Sequence, residues 1–589
     1  MGRHPRATTG KPVASPRSST SSSPRSFVTA AASPRQPQDA NLTELSTPEA
    51  AAADSTYLRA KQLPAELRQH CQIYLEEALP LISLSLLNNL EASQNVDYCP
   101  PPNQLAFLAG ITIHPDFTSR PKEPTWSHAA AESLEYLHTV LASVGPVNAR
   151  FDEAFRFGDP SKPRWSRDGS PASDSEASQA EDFFGSTEGS IGGKYPTNSV
   201  WRRSQDFFSV VGWAFNCSVL YPNRWQHYRP WLEFMFAAIE ADMHERHRVD
   251  IAGEDEEFSM LRKSMLANYV AQRGGRAGGG GLKWAIKAMF ADGDKNSNSL
   301  FQEIWHKEHK GISLKALNKR KRAAVNLEKG DYGTWLDDES VFSSQGSEPP
   351  TPQKRRTNSD RSVGTPDFQA LEASYAESIP LRHQLFSMLS FLSCYLPSAP
   401  FELPDLYENF ERAVRSLPLS IFSEMIDNTA GKLREDSHIS LLQGVLSLLM
   451  PSSALAPGKV DKARDDVGGT SPAILERCFL PNAANTIIAE DNAKVSLLLE
   501  ALMRIIIVDG TESFSPGLKD AVRKGIDARE AKAKRKKTRG RQQVSWDDPD
   551  AESRAVLELS GQRLLLLVSM AGLGENDSDV EMGSDKEGW

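Results

Sequence analysis

Trp201-Arg-Arg-Ser-Gln-Asp-Phe-Phe-Ser-Val-Val-Gly-Trp-Ala-Phe-Asn-Cys-Ser-Val-Leu220, continued by Tyr221-Pro-Asn-Arg-Trp-Gln-His-Tyr-Arg-Pro-Trp-Leu-Glu-Phe-Met-Phe-Ala-Ala-Ile239, is the densest apolar stretch of the chain. Trp201, Phe207, Phe208, Val210, Val211, Trp213, Phe215, Trp225, Trp231, Phe234, Met235 and Ile239 recur at helical spacing, which predicts two helices broken at Tyr221-Pro222-Asn223. Four of the eleven tryptophans fall between Trp201 and Trp231, so this is the expected best-ordered core. Large aromatics at this spacing read as packing rather than as a ligand cage.

Upstream, Leu67, Cys71, Tyr74, Leu75, Ala78, Leu79, Ile82, Leu86, Leu87 and Leu90 repeat at steps of three and four, an amphipathic helix that Pro80 should kink or divide. After Cys99-Pro-Pro-Pro102, Leu105–Ile113 reads as a short helix, and Ala129–Val144 as another that stops at Gly145-Pro146. Downstream, five apolar periodic runs follow with short Pro-bearing connections. They begin at Leu381, Leu406, Phe422, Ile439 and Val495. Consecutive helices with short loops resemble an α-solenoid of the HEAT or armadillo type, in helix order rather than in residues. The resemblance covers at most residues 380–510 and implies a protein-binding surface.

The expected fold is therefore mostly α, in helical blocks separated by long disordered linkers and tails. Composition places a Ser/Pro/Arg-rich tail at 1–56, a helical block at 57–157, an acidic Ser/Gly linker at 158–197 and the aromatic block at 198–336. A phosphorylatable linker at 337–376 precedes a helical array at 377–515. A basic segment at 516–553, a last helix at 554–574 and an acidic tail at 575–589 complete the chain.

Only 39% of the 589 residues are hydrophobic, while 38 glycines and 37 prolines break the pattern, so a sizeable fraction is expected to pack nothing. Cys71, Cys99, Cys217, Cys394 and Cys478 are odd in number, far apart and set mostly in apolar runs, which predicts reduced core thiols in a reducing compartment. No apolar run approaches the roughly 18–20 residues of a spanning helix, so no membrane partner is expected. The first 38 residues carry six basic residues and no acid, as mitochondrial leaders do, but six prolines oppose the amphipathic helix such a leader requires.

The cluster Lys532, Lys534, Arg535, Lys536, Lys537, Arg539 and Arg541 suits an import receptor's acidic groove or nucleic-acid phosphates. Residues 519–541 hold eleven Lys and Arg against three acids in a chain of net charge −10. Smaller basic runs at Lys319–Arg322 and Lys354–Arg356 favour import, and hence the nucleus. Thr351 and Thr365 precede proline as proline-directed kinases require, and a phosphate on Thr351 would offset the charge of Lys354–Arg356. Ser578 and Ser584 sit in acid-directed contexts in the tail.

Three segments resemble known ligand-binding motifs. Asp292-Gly-Asp294-Lys-Asn296-Ser-Asn298 through Glu303 copies the ligand spacing of an EF-hand loop, but Ser297 and Ser299 replace the turn glycine and the apolar residue. The expectation is a polar connecting loop with helix caps. Gly274–Lys283 lacks the Gly-Lys-Ser/Thr ending of a phosphate loop, and His244-Glu-Arg-His247 has the wrong histidine spacing for zinc. No nucleophile motif appears, and no cofactor is expected.

The sequence thus points to a non-enzymatic nuclear scaffold or regulatory subunit of a protein complex, in chromosome maintenance or another nuclear assembly. The rival reading is a nucleic-acid-binding protein that uses residues 519–541.

Overall fold

The computed structural model describes residues 57, 61–92, 98–158, 191–273, 280–310, 368–509, 514–534 and 550–573. The described residues are mostly helical. A parallel pair of two-residue strands, β1 (Lys61–Gln62) and β2 (Tyr98–Cys99), ties the start of the first block to its first long loop. Helices of eight or more residues are numbered here in chain order.

Pro80 divides rather than kinks the first apolar stripe, giving α1 (Ala65–Glu76) and α2 (Pro80–Ala92) with Ala78 in a left-handed turn between them. Proline lacks the N–H an interior helical position must donate but suits a first turn. The same logic starts α3 (Pro102–Ile111) and α4 (Pro124–Ser143).

The aromatic stretch forms α5 (Phe207–Leu220) and α6 (Pro222–Ala252), broken at Tyr221. Asp206 caps α5 by accepting the Ser209 N–H at 2.8 Å. Helix α6 runs thirteen residues beyond Ile239 and carries Pro230 internally. Trp201, Phe207, Phe215, Trp231 and Phe234 are all buried, and Trp201 stacks on Phe155 with ring centroids 5.2 Å apart. Short helices α7 (Met265–Gln272) and α8 (Gly280–Met289) close this block.

The second half contains α9 (Phe368–Ala376), α10 (Ile379–Tyr395), α11 (Leu403–Arg415), α12 (Leu419–Ile426), α13 (Glu435–Leu449) and α14 (Ala489–Asp509). Then come α15 (Leu518–Lys534) and α16 (Ala551–Val568), which pack on α14 and on each other.

The halves share one core. Helix α9 lies on α5, α10 on α6, and α8 on α11, and the buried apolar residues from Leu63 to Val568 form a single cluster. The join is reinforced by Arg382 of α10, wholly buried, whose guanidinium donates to the carbonyls of Met289 and Ala291 at the end of α8. Its charge lies 3.9 Å from the Tyr375 ring centroid and 4.3 Å from that of Phe215.

Two other buried arginines brace contacts within each half. Arg224 of α6 pairs with Glu308 at 2.7 Å, both wholly buried, and also donates to Thr118 Oγ1 and the Ile113 carbonyl. Arg529 of α15 donates to the carbonyls of Leu480 and Asn482, and burial lowers its pKa to about 10.

Two composition boundaries shift. Residues 191–197, assigned to the linker, belong to the fold, with Ile191 and Tyr195 buried. Phe368–Ala376, assigned to the phosphorylatable linker, is helical, with Tyr375 buried. One or two apolar anchors in a polar segment show no periodicity, so composition alone misplaces them.

Candidate functional site

A cavity of about 350 Å³ opens where both halves meet, between α6, α10, α11, the 428–434 turn and the start of α13. Its walls are chiefly apolar, supplied by Met243, Met388, Phe391, Tyr395, Leu403 and Tyr407. The volume lies within the range of ordinary ligand and side-chain pockets.

The turn that forms its mouth is built locally. Asn428 clamps it, with Nδ2 donating to the Leu433 carbonyl at 2.8 Å and Oδ1 accepting the Leu433 N–H at 3.1 Å. Gly431 stands at φ 61°, a left-handed position that glycine adopts without a Cβ penalty. Leu433 is thereby turned into the core while Lys432 and Arg434 remain exposed. Asp436 lies 3.9 Å from Arg434, both more than half exposed, so the pair is weak.

Polar groups deeper in the wall are engaged by the fold. Glu240 accepts from Gln384 Nε2 at 2.8 Å. His244 packs edge-on to Phe391, and His247 stacks on Phe258 and against Tyr395. The His244-Glu-Arg-His247 pair therefore faces aromatic rings. Burial raises the pKa of the Tyr407 phenol. Cys394 is exposed at the cavity, unlike the other four cysteines, which are buried.

Behind the cavity, two histidines complete the end of α12. His383 Nε2 and His438 Nε2 each lie 2.8 Å from a carbonyl, those of Met425 and Ile426. Burial lowers both pKa values, that of His383 to about 4. The neutral rings serve as donors to helix-end carbonyls that would otherwise be unpaired.

Of the sequence-assigned basic residues, Lys532 is half-buried and donates to the Ala484 carbonyl, and Lys534 is exposed and paired with Glu530 at 3.2 Å. The exposed face of α15 alternates Arg523, Lys524 and Lys534 with Asp520 and Asp527. Arg535, Lys536, Lys537, Arg539 and Arg541 lie outside the described residues, as do Thr351, Thr365, Ser578 and Ser584.

The Asp292–Glu303 loop has local roles for its acids. Asp294 caps the short helix Lys295–Leu300 by accepting the Ser297 N–H, and Asp292 Oδ1 accepts the Asp294 N–H at 3.0 Å. Asn298 donates to the Gly293 carbonyl at 2.9 Å, while Glu303 accepts the Lys307 N–H and contacts His309 Nδ1 at 3.0 Å. Among the described residues no group of three or more His, Cys, Asp or Glu is gathered to hold a metal ion. None of the described helices is long and apolar enough to cross a membrane.

The cavity had no counterpart in the sequence reading. Its walls come from segments more than 200 residues apart, Glu240 to Gly468, and no local motif joins them. The turn chemistry of Asn428 and Gly431 was the available signal. In sequence the chain matches no protein-family model, and no curated protein resembles it significantly.

Proposed function

We propose that this chain is a non-enzymatic scaffold or regulatory subunit of a nuclear complex, acting in chromosome maintenance or a comparable nuclear assembly. The observation that carries the reading is the cavity between α6, α10, α11 and α13, with apolar walls and Lys432 and Arg434 exposed at its mouth. Such a site takes an apolar anchor side chain of a partner protein, flanked by an acidic residue that meets the two cations. An apolar pocket inside a polar rim is the usual arrangement of an interface hot spot. Because both halves contribute walls, the pocket depends on the whole helical body. An import receptor is the expected partner of the basic cluster that begins at Lys532, and nuclear residence follows from it.

The test is mass spectrometry of proteins that co-purify with the tagged full-length chain from nuclear extract, with and without nuclease. The scaffold reading expects a fixed protein set that survives nuclease. Loss of every partner on nuclease treatment would overturn it.

The second reading, nucleic-acid binding through residues 519–541, is favoured by the eleven cations of that segment. Arg529 is buried and Lys532 is held by a carbonyl, so phosphate contacts would fall chiefly to Arg535–Arg541. Nucleic-acid affinity that falls steeply with salt, and disappears when Lys534–Lys537 are neutralised, would favour this reading.

A further inference from the structure

The wall of the cavity between α6, α10, α11 and α13 selects the shape and chemistry of what it seats. Met243 and Met388 supply thioethers, and Phe391, Tyr395 and Tyr407 supply rings. Such a lining suits a flat aromatic anchor through sulfur–ring and edge-to-face contacts. Glu240, half-buried in the same wall, accepts from Gln384 Nε2, and a carboxylate has room for further donors. It can take an indole N–H and it repels an acidic anchor. An indole therefore uses both the apolar and the polar part of this wall.

The mouth asks for negative charge. Lys432 is exposed and has no ion-pair partner among the described residues, and Arg434 is met only by Asp436 at 3.9 Å. The sequence carries a matching segment in residues 574–589, which lie outside the described residues. There Glu575, Asp577, Asp579, Glu581, Asp585 and Glu587 precede Trp589, with Lys586 the one cation. Other tryptophans outside the described residues fit less well. Trp165 is flanked by Arg164 and Arg167, and Trp546 follows the five cations of Arg535–Arg541. Trp335 stands beside Asp337, Asp338 and Glu339, but residues 311–367 hold ten Lys and Arg against eight acids.

Reach is sufficient. Helix α16 packs on α14, and α14 packs on α13, whose first turn borders the cavity. Adjacent helix axes lie 8–10 Å apart, so the crossing from α16 to the cavity is roughly 20–30 Å. Travelling the whole length of α14 would add about 30 Å along its axis, for a straight-line distance of roughly 40 Å. Trp589 is sixteen residues beyond Leu573, and sixteen extended residues span about 50 Å.

We propose that residues 574–589 dock on this cavity within the same molecule, with the Trp589 indole as the anchor and the acids of the segment facing Lys432 and Arg434. This rests on the reading of the cavity as a seat for an apolar anchor beside an acid. It makes the chain's own segment the first occupant, which the anchor of a partner protein must displace.

Fluorescence anisotropy with a labelled synthetic peptide of residues 574–589 tests the docking, with full-length Trp589→Ala as the receptor. Saturable binding is expected, with a dissociation constant on the order of 10 μM, as befits one anchor and a few rim charges. A tethered segment has an effective concentration of about a millimolar, so wild type, already occupied, should bind the peptide about tenfold or more weakly. Trp589→Ala in the peptide should abolish binding, as should Ser437→Trp in the receptor. Lys432→Glu with Arg434→Glu in the receptor should weaken binding about tenfold without moving the urea midpoint, because both side chains are exposed. A peptide carrying Asp585→Lys and Glu587→Lys should regain affinity for that receptor. Absence of saturable binding to the Trp589→Ala receptor would overturn the proposal, as would equal affinity for it and for wild type. Tighter binding by a peptide of residues 331–340, which carries Trp335, would overturn the choice of occupant. All of these arms use purified components, so their failure is distinct from that of the partner reading: partners lost from nuclear extract on Ser437→Trp, with no peptide binding, would remove the docked segment and keep the pocket.

Discussion

Arg382 Nη2 donates to the carbonyl oxygen of Ala291 at 2.9 Å, linking a helix of the second half to the end of α8 in the first. Both partners are buried, and among the described residues the guanidinium's hydrogen bonds go to a hydroxyl and two carbonyls; the ring faces of Tyr375 and Phe215 lie against its charge. Burial accordingly lowers the Arg382 pKa. Replacing Arg382 with Met preserves much of the stem packing but removes the donors to Met289, Ala291 and Ser378. The expected loss is about 2–4 kcal/mol, because buried carbonyls lose a charged donor. Urea unfolding should show it, with the junction between halves loosening first as two resolved transitions.

Asp206 combines a helix cap with a buried ion pair. It is wholly buried, caps α5, accepts from Trp284 Nε1 at 3.2 Å and pairs with Arg273 at 2.7 Å. Asp206→Ala should cost roughly 3 kcal/mol, about 1 from the cap and the remainder from the abandoned Arg273 and Trp284 donors. Chemical denaturation measures it, and Asp206→Asn should recover the cap portion alone.

Stability should fall in mild acid. Burial lowers the pKa of His114 to about 3 and that of His383 to about 4. His114 Nδ1 accepts the Asp116 N–H at 3.1 Å, which further commits that ring to its neutral form. The unfolded chain binds protons on both rings near pH 6.5, whereas the folded chain does not. Their contribution is therefore full above about pH 6.5 and is lost as pH drops from there toward 3–4. Each histidine should remove about 2 kcal/mol by pH 5. In His383→Gln, whose amide can still donate to Met425, the pH 7-to-5 decline measured by denaturant titration should shrink by about that amount.

Gly525 reverses the usual helix rule. In an exposed helix interior, Gly→Ala gains about 1 kcal/mol. A Cβ on Gly525 would stand 1.8 Å from the Leu480 carbonyl oxygen and 2.8 Å from Arg529 Nη1. Gly525→Ala should therefore displace α15 from the turn at Leu480 and lower stability, with hydrogen exchange accelerating first in α15.

Several features were legible in the residues themselves. Proline placed the breaks at Pro80 and Pro222, and three- and four-residue apolar steps identified the helices around Trp213, Leu385 and Leu498, because those signals are local. The union of the halves was not legible. It is braced by the buried Arg382, and a charged residue in a helix reads as a solvent-facing position unless its long-range partner is known. The EF-hand-like loop shows the same limit from the other side, since the spacing of Asp292, Asp294 and Asn298 serves turn and cap hydrogen bonds as well as it would serve ligands. The cavity was hidden for a third reason. Periodicity marks apolar helix faces but not which of their residues border a void, a matter that only tertiary packing decides.

The most direct measurement of the central claim compares wild type with Ser437→Trp in quantitative co-purification from nuclease-treated nuclear extract. Ser437 lines the cavity and is half-buried, so an indole there fills the space a partner's anchor would take. The account predicts that at least one nuclease-resistant partner falls about tenfold or more, corresponding to the 1.4 kcal/mol or greater loss expected when a hot-spot pocket is blocked, while the urea midpoint stays near wild type. An unchanged partner set from an equally stable Ser437→Trp protein would contradict the claim that this cavity is where the scaffold holds its partner.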